Sequence, residues 1–184
     1  MKRFVVWCGL AASIAALSLP TTTFAQSKAG TLQVTANVQG SINLVFDNNV
    51  NVGQVGFCAL TNAGTNNAGL DLGTASATTG DTLPCVAFAF NVGAGQYDVS
   101  SAFDVNVRKA NTLSGSYRLA VSISSVPPAN VTWLMNALSM TTAAQTLQAA
   151  NAYGRTTETL HVRVKNSVPA QALSEVILFT ATAN

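Results

Sequence analysis

Thr159-Leu160-His161-Val162-Arg163-Val164-Lys165 alternates polar and apolar residues without a break. Successive side chains of a β-strand point to opposite faces, so this period of two gathers Leu160, Val162 and Val164 on a buried face and leaves His161, Arg163 and Lys165 facing outward. The pattern extends along most of the chain. Leu32, Val34, Ala36 and Val38 alternate with Thr31, Gln33, Thr35 and Asn37; Gly40 interrupts; Ile42, Leu44 and Phe46 resume the alternation before Asp47-Asn48-Asn49 supplies a turn. Val86, Phe88 and Phe90 make a further run, as do Phe103, Val105 and Val107, and then Tyr117, Leu119, Val121 and Ile123 before Pro127-Pro128. Near the end, Val176 and Leu178 share one face while Ile177 and Phe179 share the other.

Helical periodicity is nearly absent. Only 137–152, with its Ala, Leu and Gln, allows a helical turn, and Thr141, Thr142 and Thr146 weigh against it. Short strands separated by turn signals, with no helices long enough to cross over between parallel strands, predict an all-β antiparallel sandwich. The expected type is immunoglobulin-like, with a jelly roll as the alternative.

Residues 1–25 read as an export signal and are set apart from the fold. Lys2 and Arg3 give a positive start, an uncharged apolar run follows as far as Leu19, Pro20 breaks it, and Thr23-Phe24-Ala25 offers small residues for cleavage. The remainder, 26–184, is expected to be one domain, secreted through a periplasm to the cell surface or beyond. Charged residues make up only 9% of the 184, where about 25% is usual. Removing Lys2 and Arg3 from the nine basic residues leaves seven, matching the seven acidic ones. Such a neutral chain has no electrostatic footprint for nucleic acid or anionic lipid, and little charge to keep its copies apart.

Cys8 falls inside the export signal, which leaves Cys58 and Cys85; an even count in an exported chain predicts a disulfide. Between them, 61–81 is rich in Asn, Gly, Thr, Ala and Ser, and is expected to be an exposed, mobile excursion pinned at its base by that bond. A metal site lacks ligands, since the chain has a single His and no second Cys pair. Asp47-Asn48-Asn49-Val50-Asn51 has alternating oxygen donors, but lacks the glycine and the final acid of a calcium loop, and reads as a turn.

Catalysis finds few materials here, and the chain is not expected to be an enzyme or to carry a cofactor. Nucleophilic mechanisms usually need a His base. His161, the only candidate, belongs to the polar face of its strand and reads as an exposed surface residue. A glycosidase would need two carboxylates. Of the seven acidic residues only Glu158 shares a face with apolar neighbours, Leu160 and Val162, and one carboxylate is not a pair.

The stretch Thr31-Leu32-Gln33-Val34-Thr35-Ala36-Asn37-Val38-Gln39-Gly40-Ser41-Ile42-Asn43-Leu44 resembles the mature N-terminus of major pilins of the alternate chaperone–usher class, in which a Thr-rich alternating run leads into an I-x-L strand. Residues 160–184, with Val168-Pro169-Ala170 before a last Thr-rich apolar strand, are similar to the C-terminal part of those pilins and of spore coat protein U domains. Cys58 and Cys85 depart from both patterns. The resemblance implies an immunoglobulin-like subunit that self-associates by giving its N-terminal strand to a neighbour, handled by a periplasmic chaperone and an usher, with Leu32, Val34, Ala36 and Val38 as the inserted side chains. The expected role is thus an exported structural subunit of a surface fibre, pilus or coat. The alternative is a stand-alone secreted sugar-binding or adhesive module using loops near Trp133 and Tyr153.

Overall fold

Strands, and no helix, make up the regular structure of the residues described by a computed structural model of the chain, 41–73, 85–169 and 171–184. The export signal 1–25 and the alternating residues Leu32, Val34, Ala36 and Val38 lie outside the described residues. In chain order the strands are β1 (Ser41–Asp47), β2 (Leu60–Thr61), β3 (Gly69–Leu70), β4 (Ala87–Asn91), β5 (Gln96–Ala110), β6 (Ser116–Ile123), β7 (Val131–Met135), β8 (Leu138–Ser139), β9 (Gln145–Ala152), β10 (Gly154–Lys165) and β11 (Ile177–Ala183). A six-stranded sheet runs β1-β5-β10-β7-β8, with β4 also paired to β5; a three-stranded sheet runs β11-β6-β9; β2 and β3 form a small hairpin. Every ladder is antiparallel.

The alternation read from the sequence sets the two layers. On the long β5, Phe103, Val105 and Val107 face inward; β10 adds Leu160 and Val162, whose cross-strand partners on β7, Met135 and Trp133, are buried with them. The smaller sheet answers with Tyr117, Leu119, Val121 and Ile123 from β6, and the two faces bury one another as a sandwich. Chain segments between β9 and β10 pass from one sheet to the other over the single residue Tyr153, and Gly154 takes the corner at φ 137°, where a side chain would be strained.

Two expectations are corrected. The stretch 137–152 forms β8 and β9 in place of a helical turn, because pairing with β6 and the packing of Leu147 against the core outweigh the helix preference of Ala and Gln. The described part of the excursion, 61–73, is largely exposed but is not structureless. The β2–β3 hairpin is pinned to β1, where Phe46 N–H donates to the Thr65 carbonyl at 2.8 Å and Gly64 N–H to the Phe46 carbonyl at 2.7 Å, and Leu60, Leu70 and Leu72 pack against the core.

Cys58 and Cys85 are joined, closing a separation of 27 residues. In the chain-entropy picture such a loop contributes roughly 3–4 kcal/mol by restricting the unfolded chain. The bond also ties Cys85, just before β4, to the segment before β2, which is itself held on β5 where Cys58 N–H donates to Ser101 Oγ at 2.8 Å and Ala102 N–H to the Gly56 carbonyl at 2.7 Å.

Candidate functional site

Each sheet ends in a strand with one side unpaired among the described residues, and two of these edges converge. β1 pairs only with β5 apart from the bridge at Phe46, and β11 pairs only with β6. The two strands flank a groove of about 380 Å³ in which Ile42, Leu44, Phe46, Ile177 and Phe179 share the lining with Asn43. Its floor is an aromatic cluster in which Phe46 meets Phe179 at 5.2 Å between ring centroids and Phe103 at 6.1 Å, both edge-to-face. Ile42, Leu44, Phe46, Ile177 and Phe179 are only partly buried, so among the described residues the sandwich core is not closed along this side. Asn66 and Asn67 of the hairpin supply the polar rim. An open sheet edge beside an apolar trough can take an added extended strand, with main-chain bonds for affinity and side-chain pockets at alternate residues.

The polar constellations are built differently. Glu158 faces inward from β10 and is fully buried. Asn136 Nδ2 donates to its Oε2 at 2.7 Å and Gln148 Nε2 to its Oε1 at 2.5 Å, so the carboxylate draws one bond from the β7–β8 turn and one from the opposite sheet. Asn136 is held in the left-handed region at φ 56° while its own N–H donates to the Thr159 carbonyl and its Oδ1 accepts from Thr159 N–H. Burial pushes the Glu158 carboxyl above its ordinary value, and the hydrogen bonds from Asn136 and Thr156 offset this only in part.

On the outer face of the large sheet, Asp47 and Asp104 stand opposite one another across β1 and β5. Each has its own donors: Arg155 at 3.0 Å and Asn106 at 3.0 Å for Asp47, Asn49 at 2.7 Å and Thr157 at 2.9 Å for Asp104. Asn49 belongs to the stretch read as a turn, and it serves as one. Both carboxylates are consumed by structure.

His161 corrects the expectation of a free surface residue. It shares the outer face with Arg163, but it is half-buried, and its Nδ1 lies 2.8 Å from Asp98 Oδ1 while Arg163 Nε donates to Asp98 Oδ2 at 2.8 Å. Burial tends to raise the Asp98 carboxyl, but the bonds and charges of Arg163 and His161 outweigh it and hold the group below its ordinary value. Among the described residues no hydroxyl or thiol is hydrogen-bonded to His161. His161→Ala is expected to destabilise by about 1 kcal/mol, more than a bystander would. Urea denaturation checks the loss, and carboxyl NMR should show Asp98 titrating closer to 3.8 in the variant.

Trp133 does not belong to a loop. It lies on β7, 7% exposed, inside the core, and Tyr153 is half-buried against Tyr117 at 5.4 Å under the Lys109 ammonium. These two side chains offer no stacking platform for a sugar. Among the described residues no group of three His, Cys, Asp or Glu side chains could hold a metal ion. In comparisons with known proteins, the chain matches no family model and no curated protein.

The sequence made Ile42, Leu44, Phe46, Ile177 and Phe179 visible as strand faces, but not as the two banks of one groove. That depends on which strands end the sheets, which periodicity does not encode. Asp47 and Asp104 were missed as a pair for the same reason.

Proposed function

We propose that the protein is an exported structural subunit that assembles into a surface fibre, the segment around Leu32, Val34, Ala36 and Val38 of one copy filling the β1/β11 groove of the next. The observation that carries this reading is the match between the groove and the segment. β1 and β11 are seven residues each, and the alternating segment 32–38 presents apolar side chains at every second position over the same length. The Cys58–Cys85 bond and the character of 1–25 agree with a route through an oxidising compartment, where a chaperone would have to cover the groove before assembly.

Edge chemistry favours a neighbour as the source. The outer edge of β1 is already engaged at Phe46 by Thr65 and Gly64, whereas β11 pairs on one side only among the described residues. An incoming strand therefore gains most by pairing with β11, antiparallel, the more stable arrangement. It enters beside Ala183 and leaves beside Ile177. A chain's own segment is tied to Ser41 by Gln39 and Gly40, at the end of β1 next to Ala110 where β11 also finishes, so it would return as a hairpin along β1, whose far end Thr65 occupies, or parallel to β11, the less stable arrangement.

Size-exclusion chromatography of the intact chain from residue 26 tests the reading. Polymers are expected, and Val34→Asp should reduce them to monomers or amorphous aggregates, since an unpaired charge in an apolar groove is costly. A well-folded, stable monomer of the intact chain at micromolar concentration would remove the proposal.

A further inference from the structure

The two ends of the sandwich carry exposed apolar side chains that the tether between strand and body would bring together. At the end where β11 begins, Val126 is 80% exposed and Val176 59% exposed. Their placement is fixed by Glu175, whose carboxylate accepts from Ser124 N–H at 3.0 Å and Ser124 Oγ at 2.7 Å, from Ser125 N–H at 3.1 Å and Ser125 Oγ at 2.6 Å, and from Val176 N–H at 3.0 Å. Ser124 N–H is shared with the Val176 carbonyl at 2.9 Å, so the turn after β6 that carries Val126 is clamped to the start of β11, whose Val176 lines the groove. At the opposite end, Leu113 projects wholly into solvent from the β5–β6 turn. Lys109 Nζ donates to the Ser114 carbonyl within that turn, and Ala110 pairs with Ser41, the first residue of β1.

We infer that Val126 and Val176 form the seat for a second copy of this chain, which rests on them with the surface around its Leu113. The inference rests on the strand-donation reading and adds to it the surface on which the donor's body lands. Only Gln39 and Gly40 separate Val38 from Ser41, so the body of a donating copy begins within about 10 Å of the point where its inserted strand leaves the groove. That point is beside Ile177, because the strand runs antiparallel to β11. The donor's own end carrying Ser41 and Leu113 is therefore held against the acceptor's Val126 and Val176. The contact is head-to-tail, uses different patches on the two copies, and repeats without closing, the geometry of a filament.

A doubly substituted chain, Leu113→Cys with Val126→Cys, is polymerised, treated with a short bis-maleimide and mapped by peptide mass spectrometry. Both positions are exposed and should tolerate substitution. The expected product joins position 113 of one copy to position 126 of another, in the polymer and not in chains lacking residues 26–39. Single Leu113→Asp or Val126→Asp chains should still bind a peptide of residues 30–39 as the parent does, while their polymers dissociate in denaturant about tenfold faster. Polymers that form without the 113–126 link, or Asp polymers as durable as the parent's, overturn the seat and leave strand donation intact. Absence of any polymer defeats strand donation itself, and the seat with it.

Discussion

A chain lacking residues 26–39 will form no polymers, yet will accept a peptide of residues 30–39 in trans and become a folded, soluble monomer. On the proposed strand donation, no copy then has a strand to give. What remains is a sandwich with β1 and β11 flanking the partly buried rings of Phe46 and Phe179, which pack on the buried Phe103, the kind of open edge and apolar patch that drives aggregation. Peptide binding buries Leu32, Val34 and Val38, worth about 1.5–3 kcal/mol each when fully removed from water, against the cost of ordering the peptide. Main-chain bonds to β11 add to this. The melting temperature should therefore rise with peptide concentration, as for any ligand that binds only the folded state. Light scattering on the deleted chain and a thermal titration with peptide make the measurement. Continued polymerisation, or a melting temperature indifferent to the peptide, would exclude the groove as the receiving site.

Strand faces were legible in the sequence wherever one side of a strand is buried: Leu160, Val162 and Val164, or Ile177 and Phe179 against Val176 and Leu178, fall on the sides their alternation requires. β7 was not, because Val131-Thr132-Trp133-Leu134-Met135 is apolar at nearly every position and has no period to read. β9 was missed because its Ala and Gln residues prefer helices, and only the neighbouring β6 makes a strand of them. At the site, the apolar residues of both banks were readable but their adjacency was not, since Leu44 and Phe179 lie 135 positions apart and meet only through the sheet order. His161 shows the same limit for polar groups. Its face followed from the alternation with Val162, but Asp98 reaches it through the β5–β10 register, 63 residues away in sequence.

Glu158 leads to the second large effect, a stability that falls as pH rises from acid toward neutral. Its carboxyl is raised above the ordinary 4.5 in the folded chain, chiefly by burial. Between 4.5 and that raised value the folded state holds a proton that the unfolded state has released. Stability must then decline as pH increases through this window, and the decline is complete above the folded value. Asp98 acts with the opposite sign and elsewhere: lowered from 3.8, it contributes above 3.8 and its contribution is lost as pH falls through its folded value, so the two windows do not overlap. Once it is ionised, above its folded value, Glu158 depends on its two amide donors, and Gln148→Leu, which removes the bond from the opposite sheet, should then cost about 2–4 kcal/mol. The same substitution should cost less near pH 4, where the carboxyl is neutral. Urea denaturation from pH 4 to 8 on the parent, Gln148→Leu and Glu158→Gln makes the comparison, and Glu158→Gln, which cannot ionise, should flatten the slope in this range. A parent whose stability rises across the window, or a Glu158→Gln slope equal to the parent's, would show that the buried carboxyl is not the titrating group. With the expected result, one side of the sandwich is held by a proton-sensitive bond between its sheets, and acid strengthens the body without touching the apolar side chains that line the groove.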